Sequence, residues 1–405
     1  MSISIVSKLW RPLDADVIAN PYPFYKNLQE TNPVFQSQTG EWIITKYNDI
    51  KSILGDKNRF KAGNRLQWME HAAIYAKEKG YDYFDISKAL QSFLLFKNPP
   101  QHTEYRKWIH QHWKEHPYNE EELSEIIHGL IKNINPNRFE FVSTFAKPLT
   151  LLAISKVLGI PLKDSFQLKS WSLDAIKAMD LYLKVSDLER IKIATSHLLQ
   201  YFMKIVTQPE LVESNGIIYQ LISDNSLDLT NEQLASLFIF LFIAGQETSS
   251  AFLSTMLYNL GNDQGSFNEI TSGRVSVKTS IKELIRFDPP VQLLGRINTK
   301  TVELNGVTIP AKSNFTLCIA AGNRDPEIFE NPDQIDLKRS DNFSLAFGYG
   351  IHRCLGESLA LDIAESTLNH ISSHYREIKI SKYSEVEWEK NISIRRLKKL
   401  EVSLS

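Results

Sequence analysis

A cysteine set among glycines is the most chemically informative feature of the sequence. It is Cys354, within the segment FGYGIHRCLG at residues 347–356. Gly348 and Gly350 permit a positive φ or a close backbone approach to a flat group. The helix predicted to follow and the neighbouring Arg353 would both lower the pKa of the thiol. A thiolate here could act as a nucleophile or as a metal ligand.

The number of cysteines narrows these options. The only other one, Cys318, lies in the apolar run FTLCIAA, which predicts a buried structural thiol. Two cysteines cannot build a Cys₄ zinc or iron–sulfur site. One thiolate in a loop suited to lie against a plane is typical of a haem axial ligand. A buried structural cysteine beside a glycine turn is the alternative, and for Cys354 the glycine spacing makes it the weaker interpretation.

A second unusual segment is FIFLFIAGQETSSAFL, residues 238–253, where an apolar pattern suddenly carries a glycine, an acid and hydroxyls. A glycine inside a helix costs about 1 kcal/mol relative to alanine. The Thr248 hydroxyl could compete for the carbonyl of Ala244 and bend one continuous helix. Alternatively, one helix ends at Gly245 and another begins. Both interpretations remain open from the residues alone.

Two further pairs have helical spacing. In KELIRFDPP, Glu283 and Arg286 share one helix face before a Pro-Pro stop. Such a pair alone is usually a surface ion pair that contributes little. His112 and His116 are spaced like a metal-binding pair, but no third ligand follows at a diagnostic spacing. We expect these two histidines to lie on a solvated face.

The elements that must position these residues are mainly helical. The pattern predicts mostly helix from 102 to 286, a short helix in PYPFYKNLQE, and a helix at 48–54 capped by Asn48 or Asp49. It predicts a strand in EWIITKY and a hairpin turning at Asn305-Gly306. A helix follows the cysteine loop, and the tail forms short strands. Residues 61–95 are aromatic-rich and irregular. The fold class predicted is mainly α with small β-sheets.

Composition excludes several classes of function. The 405 residues are 42% hydrophobic and 23% charged, which is typical of a globular chain. Lys plus Arg is 46 and Asp plus Glu is 47, so no basic excess favours nucleic-acid binding. The N-terminus has no secretory signal pattern, and the most apolar run, residues 237–244, is shorter than the ~20 residues of a membrane span. We expect one cytoplasmic domain, residues 1–405, without a membrane anchor.

These motifs together resemble one known family. Phe347, Gly350, Cys354 and Gly356 fill the fixed positions of the haem-binding loop of the cytochrome P-450 family, the haem-thiolate monooxygenases. The segments AGQETS, Glu-x-x-Arg and GNRDP precede it in the family's order. The chain is similar over its whole length to soluble bacterial members. Asn98 departs from the aspartate that many relatives carry.

The resemblance implies a mainly α triangular prism, with haem b (iron protoporphyrin IX) between the long central helix and the cysteine loop. Cys354 is implied as the iron ligand. Thr248 and Glu247 are implied to deliver protons to bound oxygen. The other implied haem-contacting residues are His102, Arg106, Arg296, His352, Ala244, Gly245, Phe347 and Gly348. Glu283, Arg286 and Arg339 are implied to form a structural cluster.

The implied reaction inserts one atom of O₂ into a hydrophobic or partly hydrophobic small molecule, by hydroxylation or epoxidation, in secondary metabolism. Leu241, Leu293 and Leu294 would line the substrate pocket. A polar tail bound by Gln292, or a carrier-tethered substrate, stays open.

With no fused reductase expected, electrons would come from a ferredoxin or flavodoxin with its NAD(P)H-dependent reductase. That partner would dock on basic residues around Arg106, Lys107 and Lys114, and the chain would be a monomer.

Two alternative functions are an H₂O₂-driven peroxygenase, which the intact Glu247-Thr248 pair disfavours, and a non-catalytic haem sensor or carrier.

Overall fold

The computed structural model describes residues 10–62, 93–115, 120–179, 187–340, 343–381 and 386–405. Most of the irregular region expected at 61–95, the side chain of Lys114 and all of His116 lie outside the described residues. The chain divides into two compact units. Unit one comprises residues 1–60, 120–149 and 248–405, and unit two comprises residues 61–119 and 150–247.

Helices dominate the described residues, which confirms the predicted class. The longest lie between residues 101 and 374, as expected. The α-helices are α1 (Ala15–Ala19), α2 (Tyr22–Thr31), α3 (Tyr47–Gly55), α4 (Gln101–Glu115), α5 (Glu120–Ile131), α6 (Lys147–Leu158), α7 (Leu162–Ala175), α8 (Leu188–Thr207), α9 (Ile217–Ser223), α10 (Asn231–Asn262), α11 (Gln264–Thr271), α12 (Val277–Phe287), α13 (Ile319–Gly322) and α14 (Glu357–His374). A π-helical segment, Val142–Ala146, runs directly into α6.

The strands are short and form small sheets. They are β1 (Val34–Gln36), β2 (Trp42–Ile44), β3 (Phe60–Lys61), β4 (Phe139–Glu140), β5 (Leu293–Asn298), β6 (Val302–Leu304), β7 (Val307–Ile309), β8 (Asn314–Cys318), β9 (Ile378–Ile380), β10 (Glu387–Trp388), β11 (Leu397–Lys399) and β12 (Glu401–Leu404). The largest sheet has the order β1-β2-β8-β5-β3, with β2 and β8 parallel. The other sheets are β4-β12-β9, β10-β11 and β6-β7.

Local sequence signals explain several of these elements. The β6–β7 hairpin turns at Asn305 (φ 48°) and Gly306 (φ 73°), the left-handed pair that a type I′ turn requires. The helix after Pro21 and the strand in EWIITKY are also confirmed. The cap predicted for α3 was wrong: the Asp325 carboxylate accepts from the Tyr47 N–H at 2.9 Å, so a distant residue satisfies the helix end.

The central segment forms one helix. α10 runs unbroken through Gly245, so the two-helix interpretation was wrong. At 1.5 Å per residue it is about 48 Å long. It is also the one helix in the described chain that is long and apolar enough by itself to cross a membrane. However, 78% of its most apolar window is buried within the fold, as in the core helix of a globular protein.

Candidate active site

The cysteine loop is a tight turn that joins β8 and the following meander to α14. The Cys354 N–H donates to the Phe347 carbonyl at 2.8 Å, and the Gly348 N–H donates to Leu345 at 2.8 Å. The Leu345 N–H in turn donates to the Asn323 side-chain oxygen at 2.7 Å. A single 3₁₀ turn, Gly350–His352, precedes the cysteine. These bonds fix the backbone on both sides of the thiol.

Glycine is required where the loop meets α3. Gly350 has φ 73°, and a Cβ there would lie 2.5 Å from the Leu54 carbonyl oxygen. No rotamer change can relieve a clash with backbone. Gly348 also has a positive φ of 72°, although the space around it is open. Backbone shape therefore favours glycine at Gly348, and close packing against α3 requires it at Gly350.

The two thiols differ as the sequence predicted. Cys318 is buried in β8, and desolvation raises its pKa far above the ordinary thiol range. Cys354 is exposed. The Arg353 guanidinium forms two bonds of 2.7 Å to the Glu357 carboxylate, and these bonds raise the pKa of Arg353. Much of the positive charge expected to act on the Cys354 thiol is thus balanced by Glu357.

Arg296, on β5, is a buried cation without an anion among the described residues. Its side chain is 5% exposed, and its guanidinium donates to the Gly295 carbonyl at 2.7 Å. Burial lowers its pKa to about 10. A buried charge without a counter-ion is costly. The site therefore suits an anionic ligand group.

Unit two contributes the start of α4. His102 (1% exposed) and the half-buried Arg106 are one helical turn apart and share a face. The approach to this helix is fixed by Asn98, whose amide accepts from the Ala62 N–H at 3.0 Å and donates to the Ala62 carbonyl at 2.9 Å. An aspartate could not donate the second bond. This role of Asn98 was not predicted from the sequence.

One face of α10 carries an accessible stripe. Between Leu234 and Leu257 every residue is buried except Phe240, Ala244, Gly245 and Thr248. Phe240, Ala244 and Thr248 are four residues apart, so they lie in one row. Glu247, next to Thr248, is only 1% exposed. Phe240 was not among the predicted site residues, although its position four residues before Ala244 places it on the same helix face.

Gly245 and Gln246 pack against other helices of unit two. A Cβ on Gly245 would lie 2.6 Å from Cδ1 of Ile154 in α6, so the glycine permits close helix packing. The Gln246 side chain is fully buried, and its oxygen accepts from the Ser172 hydroxyl of α7 at 3.1 Å. Among the described residues its amide nitrogen finds no hydrogen-bond partner. The interruption of the apolar pattern therefore has a packing cause in addition to any chemistry.

Glu283 and Arg286 are not a surface pair. Arg286 is fully buried and donates two bonds of 2.7 Å to Glu283, as well as bonds to the carbonyls of Asn323 and Pro332 at 2.8 and 3.0 Å. The Arg339 Nε donates to Glu283 at 3.2 Å. The cluster joins α12 to the meander that precedes the cysteine loop.

His112 does not lie on a solvated face, contrary to expectation. Its Nε2 lies 2.8 Å from the Asp224 carboxylate, and its side chain is 13% exposed. The Trp108 indole also donates to Asp224 Oδ2, at 3.2 Å. This contact joins α4 to the end of α9 and accounts for the histidine without a metal.

The leucines expected in a substrate pocket occupy different environments. Leu241 is 5% exposed and does not share the accessible stripe of α10. Leu293 is buried on β5, whereas the half-buried Leu294 packs against the core cluster of unit one that contains Ile44 and Phe315. Gln292 donates to the Pro289 carbonyl at 2.7 Å, so its amide nitrogen is engaged locally.

Comparisons with known proteins find similarity to one family. The family model described as "Cytochrome P450" matches residues 276–386. The biotin biosynthesis cytochrome P450 of Bacillus subtilis (strain 168) is 28% identical, over 92% of this chain and 93% of that protein. A crystal structure of P450BioI with a hexadec-9Z-enoic acid ligated acyl carrier protein matches with a TM-score of 0.87 at 27% identity, covering 96% and 99% of the two chains. CYP109E1 from Bacillus megaterium with corticosterone matches with a TM-score of 0.81 at 26% identity, covering 96% and 99%.

Over almost its whole length the chain is similar to members of the cytochrome P450 family. It is a P450 oxidoreductase, and its cofactor is haem b. The residues fit that cofactor: unit one offers one exposed thiol in a glycine-shaped loop and, in Arg296, a buried cation suited to a carboxylate. Haem supplies one iron for a thiolate and two propionates for such cations.

Proposed function

We propose that the chain is a monooxygenase that inserts one atom of O₂ into a hydrophobic or partly hydrophobic small molecule by hydroxylation or epoxidation. The observation that carries the proposal is the buried carboxyl of Glu247 next to Thr248, on the accessible stripe of an otherwise buried helix. A buried acid in the middle of an apolar helix has to be hydrogen-bonded or paired within the fold, because water cannot solvate it. Proton delivery gives this arrangement a purpose.

Residues of the cysteine loop, β5, α4 and α10 would hold the cofactor. Cys354 would ligate the iron. Haem with thiolate ligation supplies the activation of O₂. The propionates would be bound by Arg296, His102, Arg106 and His352. Backbone at Phe347 and Gly348, and at Ala244 and Gly245, would contact the macrocycle. Arg296 gains most from this, because a propionate would neutralise a guanidinium that burial now disfavours.

Thr248 and Glu247 would manage protons. The Thr248 hydroxyl can both accept and donate a hydrogen bond, so it can pass a proton without gaining a charge. Glu247 is shielded from bulk water and can exchange protons only along defined contacts. Ordered proton supply contributes typically 10²–10⁴-fold to reactions of this kind.

The substrate would meet an apolar surface. Phe240 lies on the accessible stripe of α10, and its ring packs on Phe93 at 5.3 Å between centroids. Ala244 lies between Phe240 and Thr248, about one helical turn from each. An apolar surface of this kind favours a hydrophobic substrate, and Leu241 and Leu293 remain proposed pocket residues. The corticosterone bound by CYP109E1 is an example of that chemistry in a relative.

A carrier-bound acyl chain is a second candidate substrate. The specific observation is the similarity to P450BioI, which was solved with an acyl-loaded carrier protein. Product formed from a C16 acyl carrier protein, with none formed from the free fatty acid, would support this candidate. Equal turnover of both would exclude a requirement for the carrier.

We further propose that residues 1–405 work as one domain in the cytoplasm and as a monomer. The chain passes repeatedly between the two units, which supports a single domain. Electrons would come from a separate ferredoxin or flavodoxin with an NAD(P)H-dependent reductase. Arg106 and the exposed Lys107 of α4, with Lys114, would attract such an acidic partner.

The test has a spectroscopic and a kinetic part. The reduced protein under carbon monoxide should give a strongly red-shifted Soret band, which Cys354→Ala should lose. Thr248→Ala should keep that band but lower the product formed per NADPH at least tenfold and release peroxide. Thr255→Ala is the matched control, because this buried threonine of α10 only donates to the Phe252 carbonyl at 3.1 Å. Thr248→Ala with unchanged coupling would refute the proton role, and an unshifted Soret band would refute the thiolate ligand.

A further inference from the structure

A group of three histidines, none of them assigned to the haem, lies on unit one. His370 and His374 are one turn apart on α14, with ring centroids 4.3 Å apart and planes inclined by 21°. His128 of α5 approaches His370 with a centroid distance of 6.1 Å and an angle of 72°. We propose that His370 and His374 bind one divalent transition-metal ion.

The hydrogen bonding of His374 prepares it as a ligand. Its Nδ1 lies 2.8 Å from the His370 carbonyl oxygen. A carbonyl can only accept, so Nδ1 carries the hydrogen and the neutral ring keeps its lone pair on Nε2. Metal-binding histidines almost always donate their second ring N–H to a carbonyl or carboxylate in this way. The bond fixes the tautomer and the ring before any metal arrives.

The position on the helix also favours a cation. Residues four apart project from the same face, which is the spacing by which paired helical histidines chelate zinc. His374 lies in the last turn of the 18-residue helix α14, where the helix dipole is negative, and His370 lies one turn before it. His374 is exposed and His370 half-buried, so an ion can reach them. The Arg376 guanidinium, which donates to the Ser372 carbonyl at 2.7 Å, opposes this attraction only in part.

The donor set predicts the kind of ion and a site of modest strength. Within the described ranges no three His, Cys, Asp or Glu side chains converge on one point. The protein therefore supplies two imidazole nitrogens and water completes the coordination. Imidazole suits Zn²⁺, Ni²⁺ and Cu²⁺, with Cu²⁺ strongest, and does not suit Mg²⁺ or Ca²⁺. His128 could join only after its side chain turns.

The experiment is isothermal titration of the haem-loaded full chain with ZnCl₂ at pH 7.5. We expect one saturable ion whose affinity falls at least tenfold in His374→Ala and in His370→Ala. His197→Ala is the matched control, because this exposed histidine of α8 also stacks on an aromatic ring, that of Trp171 at 4.9 Å. It should bind as the parent does. His370→Gln, which keeps side-chain volume, replaces His370→Ala if the alanine variant loses its helical circular dichroism.

A second measurement identifies the ligands directly. Cu²⁺ added at one equivalent should show an electron paramagnetic resonance spectrum with coupling to two nitrogens, which His374→Ala reduces to one. Saturable zinc binding that is the same in the parent and in His374→Ala places the ion at another surface histidine and overturns the proposal. The absence of any saturable binding also overturns it.

Discussion

Replacing Gly245 with alanine should destabilise the protein, although alanine is the better helix former. A Cβ at residue 245 would lie 2.6 Å from Cδ1 and 2.9 Å from Cγ1 of Ile154. Ile154 is 1% exposed and cannot swing into solvent. Alanine gains about 1 kcal/mol in helix propensity, whereas overpacking a core costs about 1–3 kcal/mol. The net loss in the free energy of unfolding should therefore be up to about 2 kcal/mol.

Removing the clash should reverse the sign of the effect. Ile154→Ala deletes both close atoms and leaves its Cβ, which lies at an acceptable 3.7 Å from the new methyl group. Alone it should cost about 2–5 kcal/mol through the cavity it leaves. In that background Gly245→Ala should stabilise by about 1 kcal/mol, because only the propensity gain remains. The two substitutions should thus couple by about 1–3 kcal/mol.

The assay is urea unfolding of the parent, both single variants and the double variant, all haem-loaded and followed by circular dichroism. Gly129→Ala is the control: this glycine lies in α5, and nothing comes within 4 Å of its added Cβ. It should stabilise by about 0.5–1 kcal/mol. Additivity of Gly245→Ala and Ile154→Ala within about 0.5 kcal/mol, or stabilisation by Gly245→Ala alone, would refute the packing explanation.

Three other predictions concern residues outside that contact. Arg286→Lys should destabilise by about 3–5 kcal/mol in urea unfolding, because lysine cannot supply the fork that satisfies a buried carboxylate; a loss below about 1 kcal/mol would contradict this. Asn98→Asp should lower the free energy of unfolding by about 1–2 kcal/mol, because the carboxylate keeps the bond from the Ala62 N–H but cannot donate to the Ala62 carbonyl. Asparagine and aspartate have the same shape, so unchanged stability would show that the amide donor contributes nothing. The hydrogen bond from His112 lowers the pKa of Asp224, so its stabilisation is present above the unfolded pKa of about 3.9 and is lost as the pH falls through the lower folded value. The stability gap between the parent and Asp224→Asn should therefore narrow as the pH falls below about 4, and a gap that does not change with pH would contradict the assignment.

Elements that depend on neighbouring residues were predictable from the sequence. The β6–β7 hairpin follows from two adjacent residues, Asn305 and Gly306, whose left-handed backbone defines the turn. The cap of α3 was not predictable, because its acceptor, Asp325, lies 278 residues away from Tyr47. His112 was misread for the same reason, since its partner Asp224 is 112 residues distant. The residues near a position in the sequence indicate its conformational preference, but they do not show which distant residues it contacts in the fold.

The segment 244–248 divides between helix packing and an accessible face, a division that the motif alone does not show. Successive residues of a helix point about 100° apart, so five consecutive positions cannot all face one ligand. Gly245 and Gln246 pack on α6 and α7, whereas Ala244 and Thr248 share the accessible row with Phe240. Substitutions at Gly245 and Gln246 should therefore change stability first and turnover second. Substitutions at Ala244 and Thr248 should do the reverse, because these side chains are small and partly accessible.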